Sequence, residues 1–112
     1  MFKKLSDRIG LKTGTIDDLL IYKEVCMKSI QSIEIYRGVK HYHEKFSGRY
    51  WSKSKTFAAT YAGTEGYLLS ATVPSLIDKT AWIIDSINYC FPDIVVDRFK
   101  ITASKISDSK FI

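Results

Sequence analysis

Cysteine is scarce in this sequence, and its placement excludes two common kinds of site. The two cysteines, Cys26 and Cys90, lie far apart and form no C-x-x-C pair, so neither a zinc site nor a disulfide framework is indicated. His41 and His43 would share one side of a strand, but their spacing supplies no third metal ligand. We therefore expect no metal, two buried structural thiols and a reducing compartment.

Long apolar runs are also missing. No run approaches the roughly 18–20 apolar residues of a membrane span. The first ten residues, MFKKLSDRIG, lack the apolar stretch of a secretory signal. The glycine patterns of phosphate-binding and dinucleotide-binding loops and the nucleophile elbow are absent as well. These absences predict a cytoplasmic protein without a membrane partner, and they leave kinase, Rossmann and hydrolase functions unsupported.

Aromatic and apolar residues are abundant. They make up 13% and 46% of the 112 residues, which predicts a folded protein with one domain over residues 1–112. The net charge of +5 comes from 17 basic and 12 acidic residues, and the basic ones are scattered. A solvated basic surface explains most of them, and affinity for polyanions is the alternative. Because lysines do not cluster with aromatic residues, nucleic-acid binding ranks third among our hypotheses.

Helix and strand signals alternate along the chain. Thr15 with Asp18 predicts a capping box that begins a helix ending near Gln31. The predicted buried stripe of this helix consists of Leu19, Tyr22, Cys26 and Ile30. The segment SIEIYRGV then alternates like a strand, with Arg37 on its apolar face, where burial would leave the charge in need of a partner.

The second half of the chain predicts a short helix and several strands. Ser52 and Ser54 can each cap a helix that ends at Gly63 and has Phe57, Ala58, Tyr61 and Ala62 on one face. GYLLSATVP is a strand stopped by Pro74, and SLIDKT is a helical turn with Ser75 as its cap. AWIID, DIVVD and RFKITASKI predict further strands. The class is α+β.

The order of four fragments carries a family resemblance. IYRGV, GRYWSKSKTFAATYA, GYLLSATVPSLI and PDIVVDRFKI follow one another over about residues 33–101. In this order the sequence resembles the small ADP-ribosyltransferase-like proteins of phages and bacteria. The resemblance implies a compact split β-sandwich with an N-terminal helix and short helices, in the cytoplasm of a bacterial host.

The resemblance also implies roles for individual residues. Arg37, with Gly38 beside it, would hold the phosphate or ribose part of NAD, for which a planar guanidinium is suited. The aromatic-hydroxyl motif would line the nicotinamide end, through Trp51, Ser52 and Ser54. A late carboxylate would stabilise the oxocarbenium-like transition state. The family has glutamate there, whereas this sequence has the shorter Asp93, with Asp97 as the alternative.

Each of these residues also has a purely structural interpretation. Arg37 can pair with Glu34, Glu44 or a late aspartate; Trp51 can be a core residue; the two serines can be helix caps. Asp93 follows a proline and can end a turn.

Two functions follow from the resemblance. The first is an NAD-dependent mono-ADP-ribosyltransferase or NAD glycohydrolase that acts on an unidentified macromolecule. The second is a catalytically inactive binding protein on the same scaffold, such as a phage-encoded inhibitor of a host protein or of a nucleotide signal.

Overall fold

The structure, a computed structural model, describes residues 14–42 and 48–108 of the chain. They form an α+β fold built on one six-stranded antiparallel sheet. The helices are α1 (Ile16–Lys28), α2 (Lys55–Thr60) and α3 (Asp93–Val96), with 3₁₀ turns at Ile77–Thr80 and Ile106–Asp108. The strands are β1 (Ser32–Val39), β2 (Tyr50–Ser52), β3 (Tyr67–Pro74), β4 (Trp82–Ile83), β5 (Asn88–Cys90) and β6 (Ile101–Lys105).

The sheet has the strand order β4-β5-β2-β1-β3-β6. Its longest ladder joins β1 and β3, from Ser32 opposite Pro74 to Val39 opposite Tyr67. On the other side, β1 meets the short β2 at Tyr36 opposite Ser52, and β2 continues to β5 with Ser52 opposite Asn88. Side chains at paired positions share one face of a sheet, so Tyr36, Ser52 and Asn88 form a row across three strands.

The core lies against one face of this sheet. It includes Ile35 of β1 and Trp51 of β2, and the chain segments after β3 and β5 contribute Ile77, Phe91 and Val95. Because neighbouring strand residues point to opposite faces, Tyr36, Gly38 and Ser52 belong to the other face. The helix α2 covers that second face, since a Cβ atom added to Gly38 would collide with the backbone of Ala58.

The predicted start of α1 is confirmed, and its predicted buried stripe is partly wrong. The Thr15 side chain accepts from the Asp18 amide, and the Asp18 carboxylate accepts from the Thr15 amide, as a capping box requires. The helix ends at Lys28 instead of near Gln31. Its buried residues are Leu19 and Val25, whereas Cys26 and Ile30 are exposed and Tyr22 is half-buried.

The strand predicted at DIVVD is wrong: these residues form α3 and its C-cap, Asp97. Branched side chains favour strands, but Pro92 at the N-cap has a fixed φ suited to a helix start. Val95 and Val96 are buried, so packing against the core overrides the strand preference of the run.

Three smaller expectations also fail. Tyr61, predicted to be packed, is 59% exposed, and of the two thiols only Cys90 is buried. The turn at Ile77–Thr80 has Leu76 at its N-cap and no side-chain cap, so Ser75 does not cap it.

None of the helices in the described ranges has the length and apolar character to span a membrane.

Candidate functional site

A cavity of about 780 Å³ lies between α2 and the face of the sheet formed by β1, β2 and β5. Its volume falls within the range of roughly 300–1,000 Å³ that is typical of small-molecule sites. Gly38 lets α2 approach β1 closely, because any larger residue there would collide with the α2 backbone. The close approach of this helix to the sheet therefore forms one wall of the cavity.

Aromatic side chains form much of the lining. Tyr36 and Tyr50 extend from the sheet, while Phe57 and Tyr61 extend from α2 or the turn after it. The rings of Phe57 and Tyr61 pack edge to face, with their centroids 5.4 Å apart. Both are substantially exposed, at 38% and 59%. Large exposed rings on a concave surface offer stacking area to a planar ligand.

The charged groups of the lining are mostly cationic. Arg37 in β1 and Lys40 directly after it border the cavity, whereas Asp85 supplies the one carboxylate among its described lining residues. His41 is a further polar residue of the lining. Such a balance favours an anionic ligand. Within the described ranges there is no group of three or more residues that could hold a metal ion.

Arg37 is held by a hydrogen bond and by the fit of the chain around it. Its Nη1 donates to the Tyr50 carbonyl at 3.0 Å, and Gly48 packs so tightly on the guanidinium that a Cβ there would collide with it. The buried Nε has no hydrogen-bond partner within the described part of the chain. Desolvation by burial lowers the pKa of this guanidinium.

No described carboxylate lies within ion-pair distance of Arg37. Glu34, one of the partners considered for it, instead accepts from the Tyr36 hydroxyl at 3.1 Å. Glu44 lies outside the described residues. Arg37 alternates with Tyr36 and Gly38 along β1, so its side chain leaves the strand on the core face, with Ile35 and Val39. No neutralising acid lies beside it among the described residues, although the residue itself borders the cavity.

The aromatic-hydroxyl motif divides between the cavity, the core and the cap of α2. Trp51 borders the cavity, but it is a core residue with 2% of its surface exposed. Its Nε1 donates to the Gly48 carbonyl at 2.9 Å, and its ring meets Phe99 edge-on. Ser54 caps α2 by accepting from the Phe57 amide at 3.1 Å and does not line the cavity.

Ser52 is a buried hydroxyl-bearing residue of the cavity wall. It is 3% exposed, and its Oγ accepts from the Ser54 amide at 3.0 Å. The amide can only donate, so the Ser52 hydroxyl keeps its own proton for another acceptor. Ser52 therefore does not cap the helix directly, but it supports the residue that does.

The two late aspartates are not brought to the cavity. Asp93 lies in the first turn of α3, where its backbone carbonyl accepts from the Asp97 amide at 2.8 Å. Neither of these residues lines the cavity. Since the segment is helical, the strand argument that placed both on one face does not apply.

Sequence reasoning missed the turn between β4 and β5. Asp85 Oδ1 accepts from the Ile87 and Asn88 amides, each at 2.9 Å, and its Oδ2 accepts from Asn88 Nδ2 at 2.8 Å. The Ile87 amide and the Asn88 side chain hold the pKa of this carboxyl below its usual value. An aspartate side chain that accepts from backbone amides two or three residues later is typical of a turn. The sequence DSIN, residues 85–88, has this pattern and could have predicted the turn.

The cavity combines aromatic surface, cationic residues and polar residues that include Ser52 and Asn88 in one concave site. Such a site can bind a ligand with a planar ring and an anionic group. The chain matches no protein-family model, no curated protein and no solved structure.

Proposed function

We propose that this protein is an ADP-ribosyltransferase-like domain that binds NAD in the cavity between α2 and the sheet. The observation that carries the proposal is a convergence: Arg37, Gly38 and Ser52, which the sequence resemblance connects with NAD, all border one cavity. They come from two different strands, and Arg37 and Gly38 are separated from Ser52 by more than ten residues of sequence.

The chemistry of the lining suits the two ends of a dinucleotide. Exposed rings such as Phe57 and Tyr61 can stack on a base or on nicotinamide. Lys40 can neutralise the pyrophosphate. The resemblance gives the same role to Arg37, since a guanidinium can donate two parallel hydrogen bonds to phosphate oxygens. NAD supplies both kinds of group in a single molecule.

Turnover would make the protein a mono-ADP-ribosyltransferase or an NAD glycohydrolase. In that reaction the glycosidic C–N bond breaks, nicotinamide leaves with the bonding electron pair, and an acceptor oxygen or nitrogen bonds to the ribose carbon and loses its proton. Negative charge near the ribose lowers the energy of the cationic transition state. Asp85 supports this function because it is an ionised carboxylate on the cavity lining. The acceptor would be water or a macromolecule, such as a bacterial host protein.

Binding without turnover is the second candidate, and the environment of Asp85 favours it. This carboxylate is exposed, and its oxygens already accept three hydrogen bonds. Water screens an exposed charge, so its effect on a transition state is small compared with that of a charge in a dry site. An inactive domain of this kind would act as an inhibitor that holds a host protein or sequesters a nucleotide signal.

The test is calorimetric titration with NAD, in parallel with an assay of nicotinamide release. Arg37→Met removes the guanidinium that the resemblance connects with NAD, and we expect it to weaken NAD binding about 10- to 100-fold, the usual value of a charge-assisted hydrogen bond. Arg49→Met is the matched control. Arg49 also has a buried nitrogen without a hydrogen-bond partner in the described chain, but it does not line the cavity.

Three results separate the candidates. Release that Asp85→Asn abolishes supports an enzyme, and binding without release supports the inactive module. No binding of NAD by the folded wild-type protein, or equal losses in the two arginine variants, would overturn the proposal.

A further inference from the structure

Ser52 and Asn88 are direct neighbours on the cavity face of the sheet. They are paired positions of β2 and β5, and both line the cavity. Neighbouring strands lie about 4.8 Å apart, so a single planar group of a ligand can contact both side chains. What this pair recognises depends on which atoms it presents to the cavity.

The orientation of the Asn88 amide is fixed by Asp85. A carboxylate can only accept hydrogen bonds, so the Asn88 atom 2.8 Å from Asp85 Oδ2 must be the donor, Nδ2. The Asn88 backbone amide donates to the same carboxylate, which holds the residue at two points. One of the two Nδ2 hydrogens is held by Asp85, and the Asn88 carbonyl oxygen Oδ1 has no partner of its own among the described residues and is available as an acceptor.

The Ser52 hydroxyl, in contrast to the Asn88 oxygen, is available as a hydrogen-bond donor. Its oxygen accepts from the Ser54 amide, which leaves the hydroxyl proton to be donated. Side by side, the two residues therefore present one donor and one acceptor. The complement of that pair is a planar group with an adjacent acceptor and N–H donor.

We propose that Ser52 and Asn88 select a ligand with an amide-type edge, and that Asp85 is the positioning residue that sets this selectivity. A primary carboxamide has such an edge, with its carbonyl accepting from Ser52 and its NH₂ donating to Asn88. The ring nitrogen and exocyclic amine of adenine have the same pattern. This inference deepens the proposed function and rests on it, because NAD contains both groups.

Two pairs of nucleotides with matched charge test the selectivity. NAD is compared with its 3-acetylpyridine analogue, which keeps the carbonyl and replaces the NH₂ by a methyl group. AMP is compared with the purine nucleotide that lacks the exocyclic amine. A ligand without the donor would cover the Asn88 oxygen and leave it unpaired, which costs affinity. We expect the wild-type protein to prefer NAD or AMP over its analogue by about tenfold or more.

Asp85→Asn tests the positioning role. The substituted side chain can keep its Oδ1 on the Ile87 and Asn88 amides, and its Nδ2 then faces the Asn88 side chain. Asn88 would turn its Oδ1 toward that donor and present Nδ2 to the cavity, so the preference for the N–H donor should be lost. If Asp85 had only a structural role, Asp85→Asn would weaken the binding of both nucleotides of a pair equally. Asp97→Asn, which removes the same charge from a residue away from the cavity, should keep the wild-type preference.

The outcomes distinguish this inference from the proposed function. A preference that is lost only in Asp85→Asn supports the inference. The nucleotide pair that shows the preference identifies the group that Ser52 and Asn88 bind, the carboxamide or the adenine edge. NAD binding with no preference in either pair, or a preference that survives in Asp85→Asn, overturns the inference and leaves NAD binding in place. A preference within the AMP pair without any binding of NAD would support the inference and overturn the proposed function. No binding of any of the four nucleotides would overturn both.

Discussion

Gly38 combines a sequence motif with a packing requirement. The resemblance connected it with NAD through the Arg-Gly pair, and in the fold it is the position where α2 lies directly on β1. A Cβ atom there would overlap the carbonyl of Ala58 and would lie 3.0 Å from the amide nitrogen of Ala62. Backbone atoms cannot swing aside as a flexible side chain can, so the whole helix would have to shift.

Gly38→Ala should therefore destabilise the protein by about 1–3 kcal/mol, the usual cost of overpacking, and should also weaken ligand binding by moving the cavity wall. Urea unfolding and calorimetry measure the two effects. Gly63→Ala is the control: Gly63 has φ +66° and open space around it, so it should cost about 1–2 kcal/mol through backbone strain alone and leave binding unchanged. Equal binding by wild type and Gly38→Ala would contradict the close contact between α2 and β1.

At the scale of elements, two helices begin with side-chain caps but serve different purposes. Thr15 caps α1, which packs near the 3₁₀ turn at Ile77–Thr80 and α3, away from the cavity. Ser54 caps α2, which forms a wall of the cavity. Both caps were recognisable from sequence, because a hydroxyl that precedes a helix satisfies amides of its first turn. Which cap supports the site was decided by where each helix packs.

Thr15→Ala and Ser54→Ala should each lower the free energy of unfolding by about 1 kcal/mol, the typical value of an N-cap. Only Ser54→Ala should also weaken ligand binding, since fraying of α2 moves Phe57 and Ala58 of the cavity wall. Thermal unfolding and calorimetry of the two variants test this. If Thr15→Ala weakened binding as much as Ser54→Ala, a local role for the α2 cap would be excluded.

At the scale of the whole molecule, the burial of Tyr22 in α1 makes the stability of the folded protein depend on pH in the alkaline range. Burial, with a hydrogen bond to Cys26, raises the pKa of Tyr22 to about 12, although nearby Arg98 acts in the opposite direction. The ordinary pKa of tyrosine, about 10, applies to the unfolded chain. A pKa that folding raises gives a stabilisation that is complete below pH ~10 and is lost as the pH rises through the folded value.

We therefore expect the urea midpoint of the wild-type protein to fall between pH 9 and pH 11 by more than that of Tyr22→Phe. The fluorescence of the buried Trp51 and Trp82 reports the unfolding. Tyr61→Phe, which removes a hydroxyl from an exposed tyrosine, should behave like wild type. A parallel fall in wild type and Tyr22→Phe would show that Tyr22 is not the group responsible.

The sequence by itself determined the features that depend on short-range chemistry. The capping box of Thr15 and Asp18, the cap at Ser54 and the alternating strands β1 and β3 follow from local hydrogen bonding and from the two-residue period of a strand. The α+β class follows from the order of those signals. Arg37 also stood out, because a charge within an apolar strand needs a partner.

Tertiary structure alone decided the rest. Residues 93–96 form a helix because Val95 and Val96 are buried in the core. The local preference of branched residues for strands does not reveal this packing. Likewise, Asn88 lies 36 residues after Ser52 in the chain, and only the pairing of β2 with β5 makes them neighbours. The site is built from contacts that are long-range in sequence, and such contacts are set by how the whole chain buries its apolar surface.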